Sequence, residues 1–483
     1  MMNQIMPHWL TKQAELSPNK IAIETDEKTL TFSQLQEQSE CFARKITSLG
    51  ISSQSNVAIL SNNQLEMIIA IHALTYLQFP IVMLNTRLSN RELTYQINQS
   101  EVSLIITTDK LRNEKALEHP NQKTFSEIHS LPEANVELVK HIDLTKPCTM
   151  MFTSGTTGLP KAVVHTYGNH WWSAVGSMLN LGLTEEDKWL LTLPMFHVGG
   201  FSILMKNIIY GMTVFLMEKY DAKYLHEVLN EKRITIASLV TLMLRQLMNE
   251  LEDNEFPSHI RCILLGGGSV PEPLLKKIEE KRVPLFQSYG MTETSSQIVT
   301  ISLADAKVKL GSAGKPLFPA EIKIEHPNKD GIGEIWVKGP MVMNGYWNHK
   351  KANEESFDDA WFKTGDLGYM DKDGFLYVVD RRSDLIVSGG ENIYPSEIEN
   401  VILELDGIVE AAVVGKEDDL WGQIPVAFIV EREKKVSVDE IQQYLNTNLA
   451  SYKVPKEIIF VETLPKNASN KIMRHKLKNM LRS

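Results

Sequence analysis

Thr153-Ser154-Gly155-Thr156-Thr157-Gly158-Leu159-Pro160-Lys161 is a run with no large side chain between Phe152 and Leu159. The apolar run Thr149-Met150-Met151-Phe152 precedes it and Ala162-Val163-Val164-His165 follows it, so the pattern predicts a strand–loop–strand hairpin. Gly155 and Gly158 let the backbone come close to a ligand. The hydroxyls of Thr153, Ser154, Thr156 and Thr157, with the free N–H groups of the loop, can wrap phosphate oxygens, and Lys161 adds a cation. A Walker A loop is excluded, because that motif needs Gly before its Lys and Ser or Thr after it, where this chain has Pro160 and Ala162. By composition alone the run also suits a polar surface hairpin.

Upstream, strands alternate with helices. Thr31-Phe32-Ser33-Gln34 reads as a capping box opening a helix with Leu35, Phe42, Ile46 and Leu49 on one face. Val57–Leu60, Ile81–Leu84 and Leu104–Ile106 read as strands, with helices after Glu66 and after Ser89. Such alternation predicts parallel α/β units, and without a glycine fingerprint it predicts no dinucleotide site. Residues 114–146 are polar and weakly patterned, which predicts a surface connection.

Downstream, Gly168 to Gly176 reads as a closely packed helix. Leu193-Pro194-Met195-Phe196-His197-Val198-Gly199-Gly200 reads as a strand ending in an aromatic–His pair and a glycine turn. Cys262–Leu265 runs into Gly266-Gly267-Gly268, and Leu285-Phe286-Gln287-Ser288-Tyr289-Gly290-Met291-Thr292-Glu293-Thr294 is the next strand and loop. Low side-chain bulk at both ends suits a flat base; Tyr289 offers a ring for stacking and Glu293 a hard oxygen for Mg²⁺. Asp366 follows a Thr364-Gly365 turn, where an Asp often serves only as a cap. A charged turn at Arg381-Arg382-Ser383 separates two apolar strands. The remainder reads as a compact α+β module with Ser388-Gly389-Gly390 near its start and the basic tail Lys466 to Arg474 at its end.

Taken together and in this order, these motifs resemble the adenylate-forming superfamily of acyl-CoA synthetases, luciferases and peptide-synthetase adenylation domains, from about Thr31 to Arg474. The resemblance implies an α/β fold. A large N-terminal domain of α/β sub-lobes plus a β subdomain, residues 1–382, would bind the nucleotide, and a small mobile α+β domain, residues 383–483, would act as a lid. It implies that Thr153–Gly158 and Lys161 hold phosphates, and that Gly267, Gln287, Ser288, Tyr289 and Gly290 line the adenine. Thr292 would sit by the α-phosphate, Glu293 would hold Mg²⁺, and His197 would gate the substrate carboxylate. Asp366 would accept both ribose hydroxyls, Arg381 would reach ribose and phosphate, Gly389 and Gly390 would pass pantetheine, and Lys471 would be the catalytic lysine. Three departures stand out: Asp380 where the family has Gly, Ser383 at the pivot, and Asn470 before Lys471 in place of Gly.

The implied chemistry uses ATP, Mg²⁺ and coenzyme A: a carboxylate attacks the α-phosphate, and a thiol then takes the acyl group. The sequence ends soon after Lys471 with no carrier-protein domain, which favours free coenzyme A. The run His165 to Leu183 resembles the branch of the superfamily that serves menaquinone biosynthesis, whose acid carries a second carboxylate on its aromatic ring; His197 is one candidate to meet it. An aryl or medium-chain fatty acid–CoA ligase, a carrier-protein-loading enzyme and a nucleotide-binding regulator without turnover are the alternatives.

The bulk numbers agree. At 483 residues the chain exceeds one ordinary domain. A net charge of −10 argues against a nucleic-acid partner, so an anionic substrate must meet local cations. Three scattered cysteines fit a reducing compartment, and no signal peptide or integral membrane segment is read, so the expected location is cytoplasmic. The sequence leaves a homo-oligomer open.

Overall fold

The structure is a computed structural model that describes residues 4–52, 55–153, 160–251, 255–266, 272–381, 384–388, 391–418, 421–432, 435–449, 451, 453–467 and 471–481. It divides into two compact units. The first holds residues 1–268, 281–322 and 337–362; the second holds residues 269–280, 323–336 and 363–483.

Two sheets dominate the first unit. One runs in the order Gly345–Tyr346, Lys161–Thr166, Pro147–Thr153, Ile81–Leu84, Asn56–Leu60, Val102–Thr107, Gln122–Thr124. Its central strands are parallel and buried on both faces, which is why they read as unbroken apolar runs. The other sheet begins Lys315–Pro316, Ser296–Thr300, Leu285–Met291, Cys262–Gly266, Ile236–Val240, Lys188–Leu191 and continues through Thr213–Leu216 to the N-terminal strands Ile21–Glu24 and Thr29–Thr31. The helix Phe32–Thr47 opens on the expected capping box: the Thr31 hydroxyl accepts from Gln34 N, and the Gln34 side chain accepts from Thr31 N. Ser89 and Glu92 do the same for the helix Asn90–Gln99.

In the second unit, the strands Ile386–Ser388, Gly422–Glu431 and Ile408–Asp418 form a sheet with a core on each face. On one face Ile398, Ile402, Ile441 and Leu445 pack against Val413 and Ile429; on the other, Leu464 and Leu477 pack against Val414 and Phe428. The helix Arg474–Met480 therefore belongs to the core of this unit, because Leu477 is fully buried.

Three local expectations need correction. Residues 114–146 are no plain surface connection. Gln122–Thr124 adds an edge strand, Phe125–His129 is a helix whose Phe125 and Ile128 are buried, and His141–Asp143 pairs with Ile5–Pro7. The signal was hidden because each element is only three to five residues long and buries one or two side chains. Next, Gly199 and Gly200 do not form a turn: His197 is the N-cap residue of the helix Val198–Tyr210, and both glycines lie in its first turn. Finally, Thr364-Gly365-Asp366 is no turn with a cap but part of the continuous strand Trp361–Met370, with Asp366 opposite Arg381. Gly365 takes φ 72° there, a left-handed conformation inside a strand that other residues resist, which is why the triplet imitates a turn.

Candidate active site

The hairpin forms as its sequence predicts. Pro147–Thr153 and Lys161–Thr166 are antiparallel, and Lys161 stands opposite Thr153. Ser154, Gly155, Thr156, Thr157 and Gly158 lie outside the described residues, as do Gly267, Ser383, Gly389, Gly390 and Asn470. At the base of the loop, the Tyr95 hydroxyl donates to the Pro160 carbonyl at 3.2 Å.

The segment Met343–Trp347 lines the outer side of the hairpin. Asn344 N donates to the Val164 carbonyl and Trp347 N to the Ala162 carbonyl, each at 2.9 Å. Met343 N donates to the Glu293 carbonyl at 2.8 Å, so the same segment also holds the Thr292–Thr294 turn. Between these anchors sits Tyr346. Its hydroxyl donates to Glu293 Oε1 at 3.0 Å, and Lys161 Nζ stands 5.0 Å from the centre of its ring. Glu293 is only 6 % exposed.

Tyr289 and Gly290 lie within the strand Leu285–Met291, paired to Ser296–Thr300, and not in a loop. A Cβ on Gly290 would run into Ser296 and Gln297, so the two strands approach only because that side chain is absent. The Ser288 hydroxyl donates to the Leu265 carbonyl at 2.9 Å, and Gln287 stands opposite Leu265 in the ladder. The turn Thr292–Thr294 is closed by Thr294 Oγ1, which accepts from Met291 N at 2.9 Å.

His165, on the second hairpin strand, reaches the Thr292 carbonyl through Nε2 at 2.6 Å. Behind it, Thr149 Oγ1 bonds both His165 Nδ1 at 3.0 Å and His170 Nε2 at 2.9 Å. Burial lowers the His165 pKa to about 4 and puts His170 well below its usual value. Both rings are therefore neutral at neutral pH.

His197 packs edge-on against Phe196, with ring centres 4.8 Å apart. The loop that carries it is clamped by Asn63, whose Nδ2 donates to the Leu193 carbonyl at 3.0 Å and whose Oδ1 accepts from Met195 N at 2.9 Å. On the same helix lies Lys206, 1 % exposed. Its Nζ is 3.3 Å from Gln297 Oε1 and 5.0 Å from the centre of the Trp189 ring. Ser177, Ser202 and Ser296 complete a buried polar group around Gln297. None of the ion pairs among the described residues includes Lys206, and burial lowers its pKa to about 7. Sequence reading missed this residue. The signal was a single Lys in an otherwise apolar helix, Val-Gly-Gly-Phe-Ser-Ile-Leu-Met-Lys-Asn-Ile-Ile-Tyr.

In the second unit, Asp366 is 7 % exposed. Its N–H and the Gly365 N–H are held by Thr364 Oγ1 and Glu334 Oε1 at 3.0 and 3.1 Å. Asp380 has a structural use: its Oδ2 accepts from Ser396 N at 2.9 Å. Lys471 is exposed, and its N–H is fixed to Asn467 Oδ1 at 2.9 Å. The tail is not simply solvated. Arg474 Nη2 donates to both carboxylate oxygens of Glu399 at 2.6 and 2.8 Å, and Arg474 Nη1 is 3.3 Å from Asp384.

The described residues thus bring together a buried carboxylate, Glu293, the Tyr346 hydroxyl bonded to it and the Lys161 ammonium near the Tyr346 ring, while Tyr289 and Gly290 lie on one neighbouring strand. The family of AMP-binding enzymes matches residues 10–347, and the AMP-binding enzyme C-terminal domain matches residues 397–471. The chain belongs to the AMP-binding enzyme family. This member is 49 % identical to a 2-succinylbenzoate–CoA ligase of Oceanobacillus iheyensis, over 99 % of this chain and 100 % of that one. A Bacillus mycoides protein of the same name is 47 % identical, over 99 % of each chain. Among solved structures, this AMP-binding enzyme is similar to the o-succinylbenzoate CoA synthetase of Bacillus subtilis in complex with its acyl-adenylate intermediate. The TM-score is 0.93 at 45 % identity, covering 98 % of both chains. The same synthetase with ATP and magnesium ion also gives 0.93, at 45 % identity and covering 98 % of this chain and 100 % of that one.

Proposed function

We propose that the chain joins 2-succinylbenzoate to coenzyme A through an acyl-adenylate. The observation that carries this reading is likeness to 2-succinylbenzoate–CoA ligases over the whole length, at close to half identity. Lys206 is a second candidate, beside His197, to meet the acid's second carboxylate. It is a buried lysine with no carboxylate partner among the described residues, and burying such a cation is costly unless an anion arrives.

In the first half-reaction an oxygen of the reacting carboxylate attacks the α-phosphorus of ATP, and pyrophosphate leaves. Both reactants are anions, so cations must stand where charge accumulates. Lys161 serves the phosphates from the hairpin, with Thr153 and the hydroxyls of Ser154, Thr156 and Thr157 around them. Lys471 bridges the carboxylate and the α-phosphate. One buried carboxylate, Glu293, with substrate phosphate oxygens fits the way Mg²⁺ is usually held, and no group of three or more acidic, His or Cys ligands among the described residues offers an all-protein cage. When bound there, Mg²⁺ would neutralise charge on the departing pyrophosphate. Gln287, Ser288, Tyr289 and Gly290 carry the base with Gly267, Thr292 sits by the α-phosphate, and Asp366 accepts the ribose diol with Arg381 beside it.

In the second half-reaction the thiol sulfur attacks the acyl carbon, AMP leaves, and the thiol proton passes to solvent. A lid of residues 383–483 turning about Ser383 would withdraw Lys471 and bring in Gly389 and Gly390 for pantetheine. No helix among the described residues is long and apolar enough to cross a membrane, and the three cysteines form no disulfide, which supports a cytoplasmic reaction.

The test is pyrophosphate release from ATP and Mg²⁺ over a panel of acids, with coenzyme A or a carrier protein as acceptor. 2-Succinylbenzoate with coenzyme A should be the best pair. Preference for a monocarboxylic aryl or medium-chain acid, or for a carrier protein, would overturn the substrate. ATP binding with no pyrophosphate from any acid would overturn the enzyme reading.

A further inference from the structure

Tyr346 touches two groups that the proposed reaction needs, and its own backbone is unusually well fixed. Asn353 Oδ1 accepts from Tyr346 N at 2.7 Å, Asn353 Nδ2 donates to the Tyr346 carbonyl at 3.0 Å, and Tyr346 stands opposite Val163 in the hairpin ladder. Tyr346 is 9 % exposed. It presents its hydroxyl to Glu293 Oε1 and its ring face to Lys161 Nζ. A phenol hydroxyl that donates to one carboxylate oxygen restrains the carboxylate's rotation. A ring face attracts an ammonium through its quadrupole while leaving the ammonium's N–H groups for phosphate.

We infer that Tyr346 is a positioning residue: its hydroxyl orients Glu293 towards the nucleotide's divalent cation, and its ring holds Lys161 at the start of the second hairpin strand. The inference rests on the ATP-dependent ligase reading above. The two functions sit on different parts of one side chain, so they separate by substitution. Tyr346→Phe removes the hydroxyl and keeps the ring. Tyr346→Leu removes both.

The experiment is calorimetric titration of the full chain with ATP, in EDTA and over a series of Mg²⁺ concentrations, for wild type and both variants. In Tyr346→Phe the Mg²⁺ concentration giving half of the metal-dependent gain in ATP affinity should rise about tenfold, the size of effect that loss of a ligand-orienting partner produces. ATP affinity in EDTA should stay at the wild-type value. Tyr346→Leu should show the same Mg²⁺ shift and also weaker ATP binding in EDTA, because Lys161 has lost its platform. A part that merely filled space would lower thermal stability and leave the Mg²⁺ midpoint where it was. An unchanged midpoint in folded Tyr346→Phe overturns the orienting role, even if Tyr346→Leu fails to fold. Wild-type protein whose ATP binding ignores Mg²⁺ would instead overturn the ligase reading.

Discussion

His165 Nε2 lies 2.6 Å from the carbonyl oxygen of Thr292, and that contact fixes every proton in a buried chain of three side chains. A carbonyl only accepts, so Nε2 carries the proton and the neutral ring leaves Nδ1 as an acceptor. The Thr149 hydroxyl must then donate to His165 Nδ1 and accept from His170 Nε2. His170 Nδ1 is left as a lone pair, and it is the buried atom of that ring with no partner. The chain runs from His170 on the helix Tyr167–Leu181, through the two hairpin strands, to the turn bearing Thr292 and Glu293.

His165→Leu should therefore loosen that turn. Loss of a buried bond of this kind costs about 1–3 kcal/mol of stability, and ATP–pyrophosphate exchange should fall by roughly the matching factor of ten to a hundred. His165→Gln, whose terminal amide can donate from nearly the same place as Nε2, should recover most of the exchange rate. Equal losses in Leu and Gln variants would show that ring shape, not the donated proton, is what counts.

Lys206→Met should raise the KM for 2-succinylbenzoate at least about tenfold, as expected when a buried anion loses its cation, yet leave the KM for ATP unchanged. The free protein should change little in stability, because removing a buried cation with no carboxylate partner among the described residues offsets loss of its contacts to Gln297 and Trp189. With a pKa lowered to about 7, Lys206 is charged below neutrality and increasingly neutral above it. The wild-type KM for the acid should thus climb between pH 6.5 and 8.5, while Lys206→Arg, which stays charged, should give a flatter profile. Initial-rate measurements across that range decide it.

Lys471→Ala should nearly abolish adenylate formation while pre-made acyl-adenylate is still converted to thioester, since only the first step needs a cation between two anions. Single-turnover assays of each half-reaction check the split, and equal losses in both would remove it. Arg474→Met should act differently. It strands the buried Glu399, which also accepts from Val413 N, and should destabilise the second unit by about 3–5 kcal/mol. Protease sensitivity confined to the C-terminal module is the readout.

Acid sensitivity should trace to His8 and His72. Both are buried, and burial lowers each pKa to about 3. The unfolded chain takes up these protons near pH 6.5 while the folded chain does so only near pH 3. Stability is therefore full above pH 6.5 and falls as pH drops through that window, by about 1.4 kcal/mol per pH unit for each histidine. His72→Met should flatten the decline between pH 6 and pH 4 in denaturant titrations. An unchanged slope would put the sensitivity elsewhere.

Periodicity and turn chemistry were enough to read the parallel α/β layers, the capping boxes at Thr31 and Ser89, the hairpin around residues 153–161 and the α+β module at the end. They failed where elements are very short, as in residues 114–146, and where a single φ imitates a turn, as at Gly365. The order of the motifs alone was enough to point to adenylate chemistry.

What the amino-acid order determined by itself is what depends on neighbours along the chain: element type, caps, the glycine-and-hydroxyl loop, and the identity of the residues that serve it. What only the folded chain decided is which of them meet. Tyr346 and Glu293 are 53 residues apart, Lys206 and Gln297 are 91 apart, and His165 and Thr292 are 127 apart. Each pairing exists because the sheet order brings distant strands and helices together. Burial at those meetings then strips water from a lysine or an imidazole and gives it a chemistry that no local pattern records.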